Sequence, residues 1–475
     1  MHRQPARTNG PGARTAAVHV PKLLRLTLAL LCLGSAFAQS VHAHGPFPKT
    51  RRIVFHPSDP NVVLIEATYG LLVTQDAGAH WDWLCYEAAG FKQEDVLTAN
   101  PVTTLTADGA LLLASRRGLV RSADGCGFVT PSDALDGAFL VDLERDTSDA
   151  NAAFVLTANA NADNGIFESS SDGVEWAALG DPVARTLFES MGTAKSDAQR
   201  LYLTSTDPIS GTNPTYATNF YASGDRGATW AAQALADADE DAIVLVLAVK
   251  PTDPDVVLLV DQFRFDGKVR RILRSTNGGD TWEEIDTLND KRITAATWSD
   301  DGETLWIGGS SGAGLWKSGD DGDALTQVNT DVEIGCLNFH QGELWACTNE
   351  FTDGFSIGRS DDDGETFTAF YDHGGIRGLL ECEEDSQVEQ LCRVQLLDLI
   401  FDLNLTIDPG FEVADAGAAD ASSTADASIG GTSPKGCDCG VARHDVAGMW
   451  ETAVLGAPAA VLLAIAVRSR RRRRG

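Results

Sequence analysis

The residues able to do chemistry in this chain are carboxylates, cysteines and a few arginines. Acids dominate, with 68 Asp and Glu against 37 Lys and Arg and a formal net charge of −31. Glycoside hydrolysis requires only two carboxylates at a suitable separation, so this abundance leaves such chemistry open without pointing to a pair. The acidic runs 237–241 (DADED), Asp320–Asp323 and Asp361–Asp363 could bind Ca²⁺ weakly. None has the ligand spacing of an EF-hand loop, and solvated turns are the preferred reading. The histidines show no metal-ligand spacing, and no Gly-x-Ser-x-Gly, phosphate-loop or dinucleotide motif occurs. No cofactor is expected. Arg116-Arg117 and Arg270-Arg271 read as solvated strand ends.

Six cysteines lie in the body of the chain: Cys85, Cys126, Cys336, Cys347, Cys382 and Cys392. An even number suits disulfides in an oxidising compartment. Cys336 and Cys347 end a strand–turn–strand unit, CLNFHQGELWAC, and are expected to meet across it. Cys382 and Cys392 bracket an acidic turn that enters a helical stripe: Val388, Leu391, Cys392, Leu396, Leu399, Ile400 and Leu403. Pairing them leaves Cys85 with Cys126. Six cysteines allow many pairings, so this one is an expectation from spacing.

The elements that must position these groups are repeats. The box Ser/Thr-x-Asp-x-Gly-x-x-Trp is intact at Thr74, Asp76, Gly78 and Trp81, and at Ser223, Asp225, Gly227 and Trp230. A third copy, Ser275, Asn277, Gly279 and Trp282, replaces Asp by Asn. Two copies change the aromatic: Ser318, Asp320 and Gly322 with Leu325, and Ser360, Asp362 and Gly364 with Phe367. Two read as one residue shorter: Ser122 with Asp124, and Ser170, Asp172 and Trp176. The copies recur every 42–53 residues, the length of four short strands with their turns. Gly supplies positive φ, the Asp and Ser side chains accept turn N–H groups, and the aromatic anchors the hairpin. Seven such units predict an all-β, seven-bladed β-propeller.

This box resembles the Asp-box, or bacterial neuraminidase (BNR) repeat, of sialidases, sortilin-like receptors, xyloglucanases and photosystem II assembly factors. The resemblance implies a sialidase-like propeller over 44–380, but fold does not imply function. Sialidases use an arginine trio, a Tyr nucleophile with a Glu partner and an Asp acid/base, and carry Arg-Ile-Pro before the first box. Here Arg51-Arg52-Ile53-Val54 lacks the Pro, and none of the six Tyr has a recognisable context. The expected function is therefore non-catalytic: a cell-surface propeller for binding, adhesion or scaffolding of an extracellular glycan or protein. An extracellular glycoside hydrolase or lyase is the alternative.

The two ends read as delivery signals. Residues 1–43 hold five bases and no acid, then the apolar run Leu23–Phe37 and small-residue cleavage patterns ending at Ala38 and Ala43. That order is a secretory signal peptide. Residues 381–408 are expected to form a disulfide-tied helical cap, and 409–436 a disordered Ala/Asp/Ser/Gly linker that cannot offset its ordering entropy. Next come Cys437 and Cys439, the apolar stretch Ala453–Val467, and Arg468 with Arg470–Arg474. The arginines place that end in the cytoplasm. The 437–475 segment resembles the MYXO-CTERM sorting tail of myxobacterial surface proteins, although Glu451 and Pro458 interrupt its apolar part. The resemblance implies a transmembrane helix that anchors transiently in the inner membrane. It also implies a sorting protease acting near Cys437 and Cys439, and delivery to the cell surface or outer membrane. Without its two basic ends, the 44–439 body has 25 bases against 66 acids. Such a surface argues against nucleic acid as a partner and favours cations or basic surfaces.

Overall fold

The computed structural model describes residues 48–91, 101–183, 186–209, 215–235, 242–263 and 267–407. Ala38, Ala43, the acidic run 237–241, the linker and the tail with Cys437 and Cys439 lie outside the described residues. The chain is an all-β propeller of seven blades with few helices. Blade 1 is 50–84, blade 2 is 102–122, blade 3 is 140–183, blade 4 is 188–234, blade 5 is 242–285, blade 6 is 292–329 and blade 7 is 336–371. The first strands of the blades pack side by side around the axis, and that of blade 7 meets that of blade 1. Second strands are buried on both faces by neighbouring blades, which is why they read as continuous apolar runs such as VLIEA at Val63–Ala67 and LLLAS at Leu111–Ser115. Among the described residues no helix is long and apolar enough to cross a membrane.

The box is a hydrogen-bonded turn. In blade 4, Ser223 Oγ donates to Asp225 Oδ1 (2.8 Å) and accepts from Gly227 N (2.7 Å), while Asp225 Oδ1 accepts from Thr229 N (2.8 Å). The same pattern holds at Thr74/Asp76, Ser275/Asn277, Ser318/Asp320 and Ser360/Asp362. Its glycine also meets the preceding blade. A Cβ on Gly279 would lie 2.1 Å from the Phe220 ring, and one on Gly364 2.4 Å from Leu315. The box aromatics wedge in the same direction: Trp81 packs edge-on against Phe370 and Tyr371, and Trp282 against Phe220. Ser223 is buried, so Ser223→Ala should cost about 1–2 kcal/mol by leaving the Gly227 N–H unpaired, read as a shift in denaturant midpoint.

Two boxes depart from this pattern in the structure. The third is full-length. Ser169, not Ser170, accepts from Gly173 N (3.0 Å), and Ser171 takes the Asp position by accepting from Glu175 N (3.0 Å). Asp172 sits at φ +54° and accepts from Ala107 and Asp108 N of blade 2. Three consecutive serines had disguised the register. The second box is truly short: Ser122 accepts from Gly125 N, and Asp124 from Cys126 N. Beyond it the chain pairs with blade 2 only at Arg121–Val129 and Gly118–Asp136. Pro131, which has no N–H to donate, follows two residues after Val129. Blade 2 therefore has three strands rather than four.

The ring closes at blade 1. A last strand, Ile376–Leu379, adds in parallel to the outer edge of blade 1 beside Trp81–Leu84. A helix, Gln387–Leu403, follows, capped by Ser386 and packed on the Tyr86–Ala89 turn and the closing strand through Val388, Cys392, Leu396 and Leu399. Cys336 is bonded to Cys347 across adjacent strands. The other two pairs differ from the spacing expectation: Cys85 bonds Cys392, and Cys126 bonds Cys382. Cys392 lies on the helix face turned into the blade 1 core, where Cys85 ends the outer strand. Cys382, ahead of the helix, meets the short box of blade 2. Sequence neighbours were the wrong guide because the helix carries Cys392 away from Cys382.

Candidate functional site

A large concavity among the described residues is an axial channel of about 1230 Å³, lined by the first strands of all seven blades. Charged side chains enter it from several blades. Arg52 of blade 1 stands 3.9 Å from Glu144 of blade 3 and also feels Glu66 and Asp142. Burial raises the Glu144 carboxyl to about 7, with Arg52 opposing that shift and Asp142 adding to it. Burial likewise raises Glu66, which accepts from Thr103 Oγ1 (3.0 Å), and Asp142. Asp142 is committed: its two oxygens accept from Leu143 N and Met191 N, each at 2.9 Å.

One mouth of the channel is spanned by charge. Arg145 of blade 3 reaches the carbonyls of Phe55 in blade 1 (3.5 Å) and Leu105 in blade 2 (3.4 Å). Lys195, after the first strand of blade 4, pairs with Asp300, after that of blade 6, at 2.7 Å. Phe55 and His340 stack nearby with centroids 4.0 Å apart, and burial lowers the His340 pKa. Lys49, Arg51 and Arg292 also line the channel, near the starts of their strands. Burial lowers the Lys49 pKa, Glu333 opposes this, and Arg51 and Arg292 add to it.

Glu66, Asp142, Glu144 and Arg145 were not singled out by sequence motifs, and Arg52 entered only through the Arg-Ile pair that lacks the sialidase Pro. Their signal is weak but physical: Glu66 interrupts a buried apolar strand, and Asp142 and Glu144 alternate in a first strand. Arg270 and Arg271 are not solvated strand ends, since both bond the buried Asp261 of the neighbouring strand. A bulge between Asp261 and Gln262 lets two successive arginines reach one carboxylate. Arg116 instead lies over the Phe139 ring. A Ser356–His373–Glu350 group at the blade 7–blade 1 seam has the members of a hydrolytic triad without its geometry. Ser356 Oγ lies 3.2 and 3.4 Å from the two ring nitrogens and donates to Glu350 Oε2 (2.6 Å), which also pairs with His373 Nδ1, so the hydroxyl proton is directed at the carboxylate and not at the ring. Among the described residues no group of three or more His, Cys, Asp or Glu could hold a metal ion.

The carboxyl groups set a pH signature. Folded Glu144 keeps its proton to about pH 7, whereas an unfolded Glu loses it near roughly 4.3. Stability from this site is therefore full below about pH 4 and falls as pH rises toward 7. Glu144→Gln should reduce that fall, checked by unfolding midpoints between pH 4 and 8. The box carboxylates act in the opposite sense. Asp76 is lowered to about 2 by bonds from His80, and Asp225 and Asp362 are lowered by bonds from the threonines four residues on. Their contribution is lost only as pH falls below about 4.

Fold and channel together define the class: a seven-bladed β-propeller with a charged axial channel. No protein-family model and no curated protein sequence matches the chain. Among solved structures, an ancestral GH74 enzyme aligns at 13% identity over 67% of this chain and 46% of its own, with TM-score 0.49. The GH74 xyloglucanase from Xanthomonas campestris aligns at 14% identity over 70% and 66%, with TM-score 0.31. A puromycin-hydrolyzing peptidase of Mycobacterium tuberculosis aligns at 12% identity over 70% and 55%, with TM-score 0.46. The chain thus spans about half the length of the first of these. Likenesses this distant carry no argument about activity.

Proposed function

We propose that the protein is a secreted propeller, displayed at the cell surface, that binds an extracellular glycan or protein at its channel without turning it over. The carrying observation is the channel's charge pairing: among the described lining carboxyl groups, Asp142 is held by two amides, Asp146 by Arg226 and Asp300 by Lys195, while Glu144 faces Arg52. In this reading the box turns are Asp-boxes. Residues 1–43 direct export, the helix after blade 7 serves as a cap, and 409–436 is a spacer. The 437–475 segment is a sorting tail whose membrane helix is released by a protease near Cys437.

One observation favours the second reading, an extracellular glycoside hydrolase or lyase: a carboxyl titrating at about 7 inside a channel is suited to general-acid work. The purified exported protein, screened on a glycan array and for product release from the same glycans, separates the two. A binder retains ligand with no product, and Glu144→Gln keeps retention. An enzyme releases product, and Glu144→Gln abolishes release. Cys437→Ala should block tail processing, and an unchanged mass and unchanged display in that variant would remove the sorting reading.

A further inference from the structure

We propose that Asn404 is an attachment site for an N-linked oligosaccharide. Asn404-Leu405-Thr406 is the single Asn-x-Ser/Thr triplet in the sequence whose middle residue is not proline; Asn213-Pro214-Thr215 has the excluded proline. Such a triplet marks an acceptor only in an exported chain and at an accessible surface. The proposal therefore rests on export and not on what the channel binds.

The fold presents the triplet outward. Asn404 ends the Gln387–Leu403 helix in the left-handed region, φ +51°, and turns the chain out of the helix. Leu405 N then bonds Ile400 O (2.9 Å), and Leu405 and Ile407 pack against the blade 1 core. Those two anchors alternate with Asn404 and Thr406, which are both exposed. The acceptor amide and the hydroxyl two residues on therefore stand at the surface on a segment fixed by its apolar neighbours.

A second observation points to the same place. The helix face opposite the packed one carries Val394, Leu397 and Phe401, which are 67%, 38% and 85% exposed. Such a patch is unfavourable in water without a cover. Phe401 lies in the last turn of the helix, and its carbonyl accepts from Asn404 N (3.3 Å), so the two residues sit close together at the exposed helix end. The C–H face of a sugar linked to Asn404 can lie on that ring and remove it from water.

The transfer joins Asn404 Nδ2 to the anomeric carbon of a lipid-pyrophosphate-linked oligosaccharide. The carbon–oxygen bond to the pyrophosphate breaks, the lipid pyrophosphate leaves with the electron pair, and one amide proton passes to a base of the transferase. No redox partner is involved.

The test uses protein purified from the cells that produce it, with the form lacking its N-terminal segment selected by mass. The peptide containing Asn404 is then sequenced by mass spectrometry. Expected is an oligosaccharide on Asn404, lost completely in Asn404→Gln and Thr406→Ala and retained in Thr406→Ser. The unfolding midpoint should drop in Thr406→Ala, which leaves the left-handed cap at Asn404 intact, and that drop should vanish in a Phe401→Ala background. A bare Asn404 peptide in the exported form overturns the proposal, as does modification that survives Thr406→Ala. Protein that always keeps its N-terminal segment also overturns it, by removing export, while leaving ligand retention by the channel to stand or fall separately.

Discussion

Replacing the Cys85–Cys392 pair by alanines should lower stability by about 3–4 kcal/mol, and replacing both this pair and Cys126–Cys382 should cost more than twice as much. The bonds join positions 307 and 256 residues apart, and they are nested. With one in place, the other closes only the short circuit formed by 85–126 and 382–392. Either bond alone therefore keeps the start and end of the ring together in the unfolded chain, and only loss of both frees the whole loop. The closing contacts between blades 7 and 1 also include an aromatic seam, Trp81 on Phe370 and Tyr371 and Phe55 on His340, and hydrogen bonds such as Thr50 Oγ1 to Ser356 O (3.0 Å), Tyr69 to Tyr371 (3.0 Å) and Asn338 to Ile53 O (3.2 Å), none of which persists in the unfolded chain. Denaturant unfolding of the two paired variants and of the quadruple variant checks this. Equal midpoints in the paired and quadruple variants would show that the ring does not depend on the bonds.

Asp261→Ala should destabilise the fold by about 2–3 kcal/mol, the cost of removing a buried carboxylate that accepts charge-assisted hydrogen bonds from two arginines. Asp261 is fully buried in blade 5, with Arg271 Nε at 2.8 Å and Arg270 Nη1 at 3.1 Å. Its removal leaves two guanidinium groups facing each other across a bulge, where neither strand can shift without losing ladder bonds. Asp261→Asn keeps the shape and one acceptor and should lose distinctly less. Urea midpoints of the two variants make the comparison, and similar losses would mean that packing, not charge, fixes the site.

The blade count and the box turns were legible because each rests on a local rule repeated many times: a positive-φ glycine, a side chain that accepts turn N–H groups, and an aromatic that faces the previous blade. The misreadings all involve partners far apart in the chain. Ser169 was passed over because Asp172 seemed to fix the register, yet that carboxylate serves blade 2. Cys392 was assigned to its sequence neighbour, although the helix turns it toward a residue 307 positions away. Arg270 and Arg271 were read as solvated because their shared carboxylate lies on the next strand. The channel groups escaped for the same reason. Arg52 and Glu144 come from blades 1 and 3, and no spacing in the sequence encodes their 3.9 Å approach.

The nested bonds have a mechanical consequence. Any pull on the chain beyond residue 407 enters the propeller through the Gln387–Leu403 helix. Hydrogen bonds alone would let that force peel the parallel closing strand from the edge of blade 1, one bond at a time. Covalent links at Cys392 to blade 1 and at Cys382 to blade 2 divert the load into the first two blades before it reaches the closing strand. Tension applied to that end is then borne by the two disulfides, and the ring is not unzipped.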